Sequence, residues 1–330
     1  MARIVLGLGT SHSPHVSTVA ELWHLHAKRD RRNPNLDFDA LVAAAPSGLE
    51  HELTPAVFQA KHDKCQQAID GLSLALSQAA VDVVVVVGDD QRELFLDECS
   101  PAFAVYTGPM LVDIPPSMAH ADPSHVPAMW ARHSAQLESY PGMPALANSI
   151  VAGLCGEDFD VAVASTQFEN RSLGHAFTFV RLRLMKDRVV PIIPIFINCY
   201  FPPNQPSAAR CFAFGEALRR AIEAAPGEQR VALVASGGLT HFVIDEHVDG
   251  QVLRGIAEKR SDLLRSLDAS TLTSGSSEIR NWIAVAGALQ DFEVPLMEYV
   301  PAYRSPAGTG CGMAFVRWEA TSAAQTATLG

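Results

Sequence analysis

The 330-residue chain predicts an α/β domain: a mixed, mostly parallel central sheet with helices on both faces. Two observations predict this. Short Val- and Ile-rich runs are continuously apolar, as in strands covered on both sides, and they alternate with segments whose apolar residues recur at helical spacing. The strand runs, in order, are Arg3 to Gly9, Asp82 to Gly88, Phe159 to Ser165, Val189 to Asn198 and Arg230 to Ser236.

The helical segments have readable ends. Thr54 and Pro55 form an N-cap and first-turn pair, followed by Phe58, Cys65, Ile69, Leu72 and Leu76 on one stripe. A second helix begins near Pro206, carries Phe214, Leu218 and Ile222 inward, and stops at Pro226-Gly227. A third follows Ser276-Ser277, with Ile279, Trp282, Ile283 and Leu289 on its core face. Trp23 to Leu53 and Pro115 to Pro144 read as insertions, long and polar enough to serve as binding loops or lids. No repeat or linker divides the chain, so one domain over residues 1–319 is expected, with a small polar tail over 320–330.

Composition excludes several classes of function. A formal charge of −11 with 18% charged residues argues against a surface for a phosphate backbone, and the one basic run, Lys28 to Arg32, is flanked by polar residues and reads as a solvated loop, so no nucleic-acid partner is expected. No apolar run reaches membrane-spanning length. Six cysteines without a CxxC pair disfavour a disulfide framework or zinc knuckle and fit reduced thiols in a cytoplasm.

Ligands of open α/β sheets bind outside the carboxyl ends of the strands. Three such ends carry polar clusters: Gly9-Thr10-Ser11-His12-Ser13-Pro14, Gly88-Asp89-Asp90-Gln91-Arg92-Glu93, and Ser236-Gly237-Gly238-Leu239-Thr240-His241-Phe242. Gly7-Leu8-Gly9 begins a dinucleotide fingerprint, but His12 stands at its third glycine position, and neither a phosphate loop nor a GxSxG elbow occurs.

These clusters, with Gly174-His175-Ala176-Phe177 and the stretch Tyr303 to Gly310, resemble the class III extradiol dioxygenases, and within them the 3-O-methylgallate dioxygenase branch, related to the β subunit of protocatechuate 4,5-dioxygenase. The similarity runs from Ala2 to about Trp318. The resemblance implies a non-haem Fe(II) held by two histidines and a glutamate, leaving positions for a bidentate catecholate and O₂. It also implies two further histidines for proton transfer and oxygen steering, and oxygen-dependent cleavage of a catechol-type aromatic acid such as gallate, an O-methylgallate or protocatechuate.

Carried over by residue, the resemblance makes His12 a metal ligand and His241 and His175 the catalytic pair. Gln91 stands where a second ligand histidine is expected, with Asp90 beside it; His247 stands where the glutamate is expected, with Glu246 one residue earlier. A set of His12, Gln91 and His247 lacks a carboxylate, which admits Mn or Zn and opens a metal-dependent hydrolase or carbon-carbon lyase on the same scaffold, or a non-catalytic small-molecule binding subunit. Glu246 reads equally as a ligand or as a complement to the helix dipole behind Asp245. His15 and His62 are additional pocket candidates, the first also read as a turn residue and the second as a core histidine. Asn198, Arg280, Tyr303 and Arg304 are candidates for the substrate's hydroxyl or carboxylate. Relatives of this kind associate as dimers, and the chain's own insertions lead us to expect a homodimer without a helical second subunit.

Overall fold

The computed structural model describes residues 1–320, so all of the expected tail except Ala320 lies outside the described residues. Among the described residues ten strands occur: β1 (Arg3–Thr10), β2 (Val83–Gly88), β3 (Phe103–Tyr106), β4 (Met110–Asp113), β5 (Glu138–Pro141), β6 (Ala162–Ala164), β7 (Ile192–Ile197), β8 (Arg230–Ser236), β9 (Glu293–Tyr303) and β10 (Gly310–Glu319). Eight form one sheet in the order β6-β3-β7-β2-β8-β1-β10-β9, while β4 and β5 pair separately. The four central strands β7, β2, β8 and β1 are mutually parallel. Antiparallel pairing appears where β3 meets β7 and where β10 meets β1 and β9.

The five expected strands are present, three of them shorter than the apolar runs. In β2, Val83, Val85 and Val87 enter the core on one face while Val84 and Val86 enter the other. Both faces being covered, alternation has no polar member to reveal it. The helices Ala208–Ala224 and Ile279–Ala288 cover the first face; Pro55–Gln78 and His175–Phe179 cover the second. The expected Thr54 cap forms, accepting from the Val57 amide at 3.3 Å, and the helix expected near Pro206 is capped by Ser207, which accepts from Arg210 at 3.2 Å.

Gly7 and Gly9 serve packing. A Cβ on Gly9 would fall 2.3 Å from the Trp282 ring, and one on Gly7 2.2 Å from Leu289. The helix therefore lies directly on β1, and the glycine pair is its seat.

Register places the chemistry. Thr10 lies opposite Ser236 across β1 and β8, and Val87 lies opposite Ala235 across β2 and β8. The three polar clusters therefore leave the sheet side by side at one edge. Both insertions fold against that edge: the first holds the helix Trp23–Arg31, and the second is bracketed by the β4-β5 pair.

Candidate metal centre and active-site cleft

At this edge a cleft opens, its walls including His12, His175, His241, Gln91, Tyr200 and Glu278. His12, His175 and His241, far apart in sequence, thus share one cavity.

His12 is held in a defined tautomer. Its Nδ1 lies 2.9 Å from the Ser236 hydroxyl, and that hydroxyl donates its proton to the Ala176 carbonyl at 2.6 Å. Ser236 has only a lone pair left, so His12 Nδ1–H is the donor and Nε2 carries the free lone pair. That Nε2 is buried without a hydrogen-bond partner among the described residues. Burial lowers the His12 pKa to about 3, against the attraction of Glu278. A neutral imidazole with an orphaned inward lone pair is the form that binds a metal.

Around it stand two carboxylates. Ligand atoms of His12, Asp89 and Glu278 lie within 4.8 Å of one another, all three side chains buried. Asp89 follows β2 directly and accepts from Asn281 Nδ2 at 3.2 Å. Burial and then the facing Glu278 carboxylate push its pKa well above the ordinary value. Glu278 comes from just ahead of the Ile279–Ala288 helix. Burial alone would raise its pKa, but the attraction of His241 and His12, with hydrogen bonds from His241 and Tyr200, holds it below the usual range. Glu278 accepts from the Gly238 amide at 2.7 Å and from the Tyr200 hydroxyl. Two buried carboxylates converging on a free imidazole lone pair suit a divalent cation, which offsets the repulsion between them.

Both outer histidines are oriented from behind. His241 Nδ1 donates to the Leu239 carbonyl at 2.8 Å, leaving Nε2 to face Glu278 Oε1 at 3.5 Å. Its ring fits because two neighbours lack side chains: a Cβ on Gly275 would come 2.1 Å from the ring, and one on Gly238 2.8 Å. His175 Nδ1 lies 2.7 Å from Glu93 Oε1, and its ring centroid is 4.7 Å from that of His12. Burial lowers the pKa of His175 and the nearby Arg132 charge adds to this, with Glu93 opposing. Burial would raise Glu93, yet its pairing with His175 holds it at about 2.

The remaining sequence candidates fall in different places. Gln91 is at the cleft, but its amide nitrogen faces Asp89 (3.3 Å), Tyr200 (3.2 Å) and Glu278 (3.3 Å). Since Tyr200 gives its proton to Glu278, all three partners are acceptors and Gln91 is their donor. Asp90 turns away and accepts the amides of Arg92, Glu93, Leu94 and Phe95, shaping the loop after β2. Glu246 and His247 are exposed at the start of the Glu246–Ala257 helix, outside the cleft walls, and Glu246 accepts from Tyr303 at 2.8 Å. The structure therefore offers Asp89 and Glu278 as carboxylates, in place of Asp90 and Glu246.

Among the substrate candidates, Asn198 braces its own loop by donating to the Phe201 carbonyl and to Asn204. Arg280 is buried and spends its donors on the carbonyls of Pro206, Leu272 and Ser277. Tyr303 is occupied by Glu246. Arg304 does line the cleft but is paired to Asp30 at 2.7 and 3.0 Å. His15 also lines it, buried between Trp23 and His26 with both ring nitrogens unpaired among the described residues. His62 lies outside it, half-buried beside Asp63 at 3.5 Å.

Residues 53–312 match the family described as the catalytic LigB subunit of aromatic ring-opening dioxygenase. A gallate dioxygenase of Pseudomonas putida is 30% identical over 161 residues, 45% of this chain and 46% of that protein. A 2,3-dihydroxyphenylpropionate/2,3-dihydroxicinnamic acid 1,2-dioxygenase of Comamonas testosteroni is 27% identical over 177 residues, 53% of this chain and 48% of that protein. The chain spans about half the length of these relatives. A solved structure of an uncharacterized protein from Escherichia coli K12 aligns with a TM-score of 0.41 and 17% identity, over 77% of this chain and 91% of that one.

Proposed function

Because the chain belongs to the family of catalytic LigB subunits of aromatic ring-opening dioxygenases, we propose that it opens a catechol-type aromatic acid with O₂ at the His12, Asp89 and Glu278 centre. The observation that carries this reading is the convergence of a lone-pair-bearing imidazole and two buried carboxylates, His12 and Glu278 lining the cleft with Asp89 behind them, beside two oriented histidines. His12 Nε2, Asp89 and Glu278 are the groups to hold a divalent metal, iron being our assignment. Bound there, such a metal supplies an electron-rich centre through which an adjacent-diol substrate and O₂ are brought into reaction. Two carboxylates bring the charge of the centre to zero, against +1 for one.

The protein's own groups handle protons and position. His241, its Nδ1 committed to the Leu239 carbonyl, presents Nε2 to the cleft; burial lowers its pKa but the Glu278 carboxylate raises it well above the ordinary value. Nε2 therefore accepts a phenolic proton once the charge of Glu278 is committed to a bound metal. His175, fixed by Glu93 at Nδ1, stands T-shaped to His12 with the ring centroids 4.7 Å apart and bounds the centre on that side. Tyr200 and Gln91 donate to Glu278 and fix that carboxylate's orientation. A hydrolase or lyase reading was motivated by a donor set without a carboxylate; Asp89 and Glu278 supply two, and that motive goes.

Anaerobic loading with Fe(II), followed by oxygen uptake with gallate, O-methylgallate and protocatechuate, tests the proposal. Uptake stoichiometric with loss of the aromatic absorbance is expected. Absence of uptake with any catechol, at confirmed iron occupancy, defeats it.

A further inference from the structure

The chain as a whole carries a formal charge of −11, yet Arg29, Arg132 and Arg304 line the cleft, facing Glu278 as the one carboxylate on its wall. Arg304 is neutralised by Asp30. The other two are not: among the described residues, neither the Arg29 nor the Arg132 guanidinium has a side-chain hydrogen bond or an ion pair. Both sit half-buried on firmly anchored backbone. Arg132 has its carbonyl held by the Thr178 hydroxyl, and its neighbours His133 and Ser134 are tied to Asp113 at 2.8 and 2.6 Å. Arg29 precedes the Asp30 that is locked to Arg304, and its guanidinium stands 5.8 Å over the Phe242 ring, next to His241.

A guanidinium kept partly out of water on a rigid backbone without a partner is an anion receptor waiting for its anion, since its five donors match a carboxylate fork. The imidazole of His125, which shares this wall, reports the local field. Its pKa is lowered to about 4, first by burial and then by the charges of Arg29 and Arg132. Arg132 also experiences the attraction of Glu93, Glu278 and Asp89 without pairing to any of them.

We propose that Arg29 and Arg132 form the subsite for the substrate's carboxylate, holding an anionic aromatic ring with its reacting edge toward His12 and Glu278. The assignment rests on the ring-opening reading for the identity of the ring, and names the substrate class as a carboxylate-bearing aromatic in preference to a neutral catechol. Each insertion contributes one arginine, so the subsite exists only where the two are folded together against the cleft.

The test separates binding from turnover. Calorimetric titration of the full chain, anaerobic and Fe(II)-loaded, compares 4-hydroxybenzoate with its neutral isostere 4-hydroxybenzamide. The anion should bind about thirtyfold more tightly or better, the scale of a desolvated charge pair. Arg29→Met with Arg132→Met should bring the two ligands to within about threefold, and Arg29→Lys with Arg132→Lys should restore part of the preference. Since neither side chain pairs with another, folding should persist, with circular dichroism as the check and the lysine variant as the folded control. Equal binding of both ligands by the unaltered chain, or an undiminished preference in the methionine variant, overturns the proposal. A carboxylate preference without oxygen uptake from any dihydroxybenzoate upholds the subsite and sinks the ring-opening reading. Uptake with neutral catechol matching that with the acid does the reverse.

Discussion

On the floor of the cleft, Glu278 accepts from Tyr200, Gln91 and the Gly238 amide while facing His12 and His241 at 3.5 Å. On the outer wall, Arg29 and Arg132 find no partner among the described residues. The floor issues from β1, β2 and β8 and from a helix seated on glycines; the wall issues from the two insertions. A polar group on the floor is held by several others because a buried charge must be compensated from every side. One on the wall is left unpaired so that something else can pair with it. The difference teaches that the scaffold fixes the reaction centre, and that the insertions determine what is presented to it.

The comparison breaks most visibly at Glu278. Glu278→Gln should lower metal affinity by more than the 10–100-fold typical of changing an outer-shell partner, measured by competition with a chelator, while Arg132→Met should leave it unchanged. Equal losses in both variants would erase the distinction between floor and wall. His241→Gln comes next: kcat should fall by about 10²–10⁴ with metal content intact, and a loss expressed in KM alone would remove His241 from proton transfer. Smaller again is the joint between the regions. Arg304→Met leaves Asp30 buried with Thr309 as its remaining side-chain donor, and should cost about 3–5 kcal/mol of folding stability, measured by denaturant unfolding.

Part of the floor was legible in the sequence and the wall was not, for physical reasons. Doubly covered strands such as β2 are continuous apolar runs, and residues following them reach the active edge by geometry, so His12 and His241 stand out. The long strand β9 escaped because it is half-exposed and carries Pro295 and Pro301. Asp89 was quoted in its motif yet passed over for its neighbours. Glu278 was missed because a glutamate was sought directly after His241, at Glu246, whereas the chain first runs through two more helices before returning to the floor. No local signal marked it, since Arg280 and Asn281 follow it directly and dilute any contrast with the apolar residues beyond. Arg29 sat in a basic run that composition reads as solvated, and nothing local marked Arg132; tertiary contact alone separates an unpaired arginine from an ordinary one.

The finest test of the floor lies one layer behind it. Asp249 is fully buried and accepts from the Thr240 amide at 2.8 Å, directly before His241, and from the Tyr299 hydroxyl at 2.7 Å. Burial raises its pKa from 3.8 to about 6, the two hydrogen bonds opposing. The folded chain therefore binds a proton here that the unfolded chain has released between those values, so this group's contribution to stability is greatest below pH 4 and is lost as pH rises through 6. The full span corresponds to about 3 kcal/mol. In Asp249→Asn the amide oxygen still accepts from Thr240 and its nitrogen can donate to the Tyr299 oxygen, but no proton is released. The stability of the unaltered chain minus that of the variant should accordingly shrink between pH 4.5 and pH 7.5, measured by denaturant unfolding at each pH. A difference that is flat across this range would show that Asp249 is ionised throughout and that the support beneath His241 is a charge rather than a neutral acid.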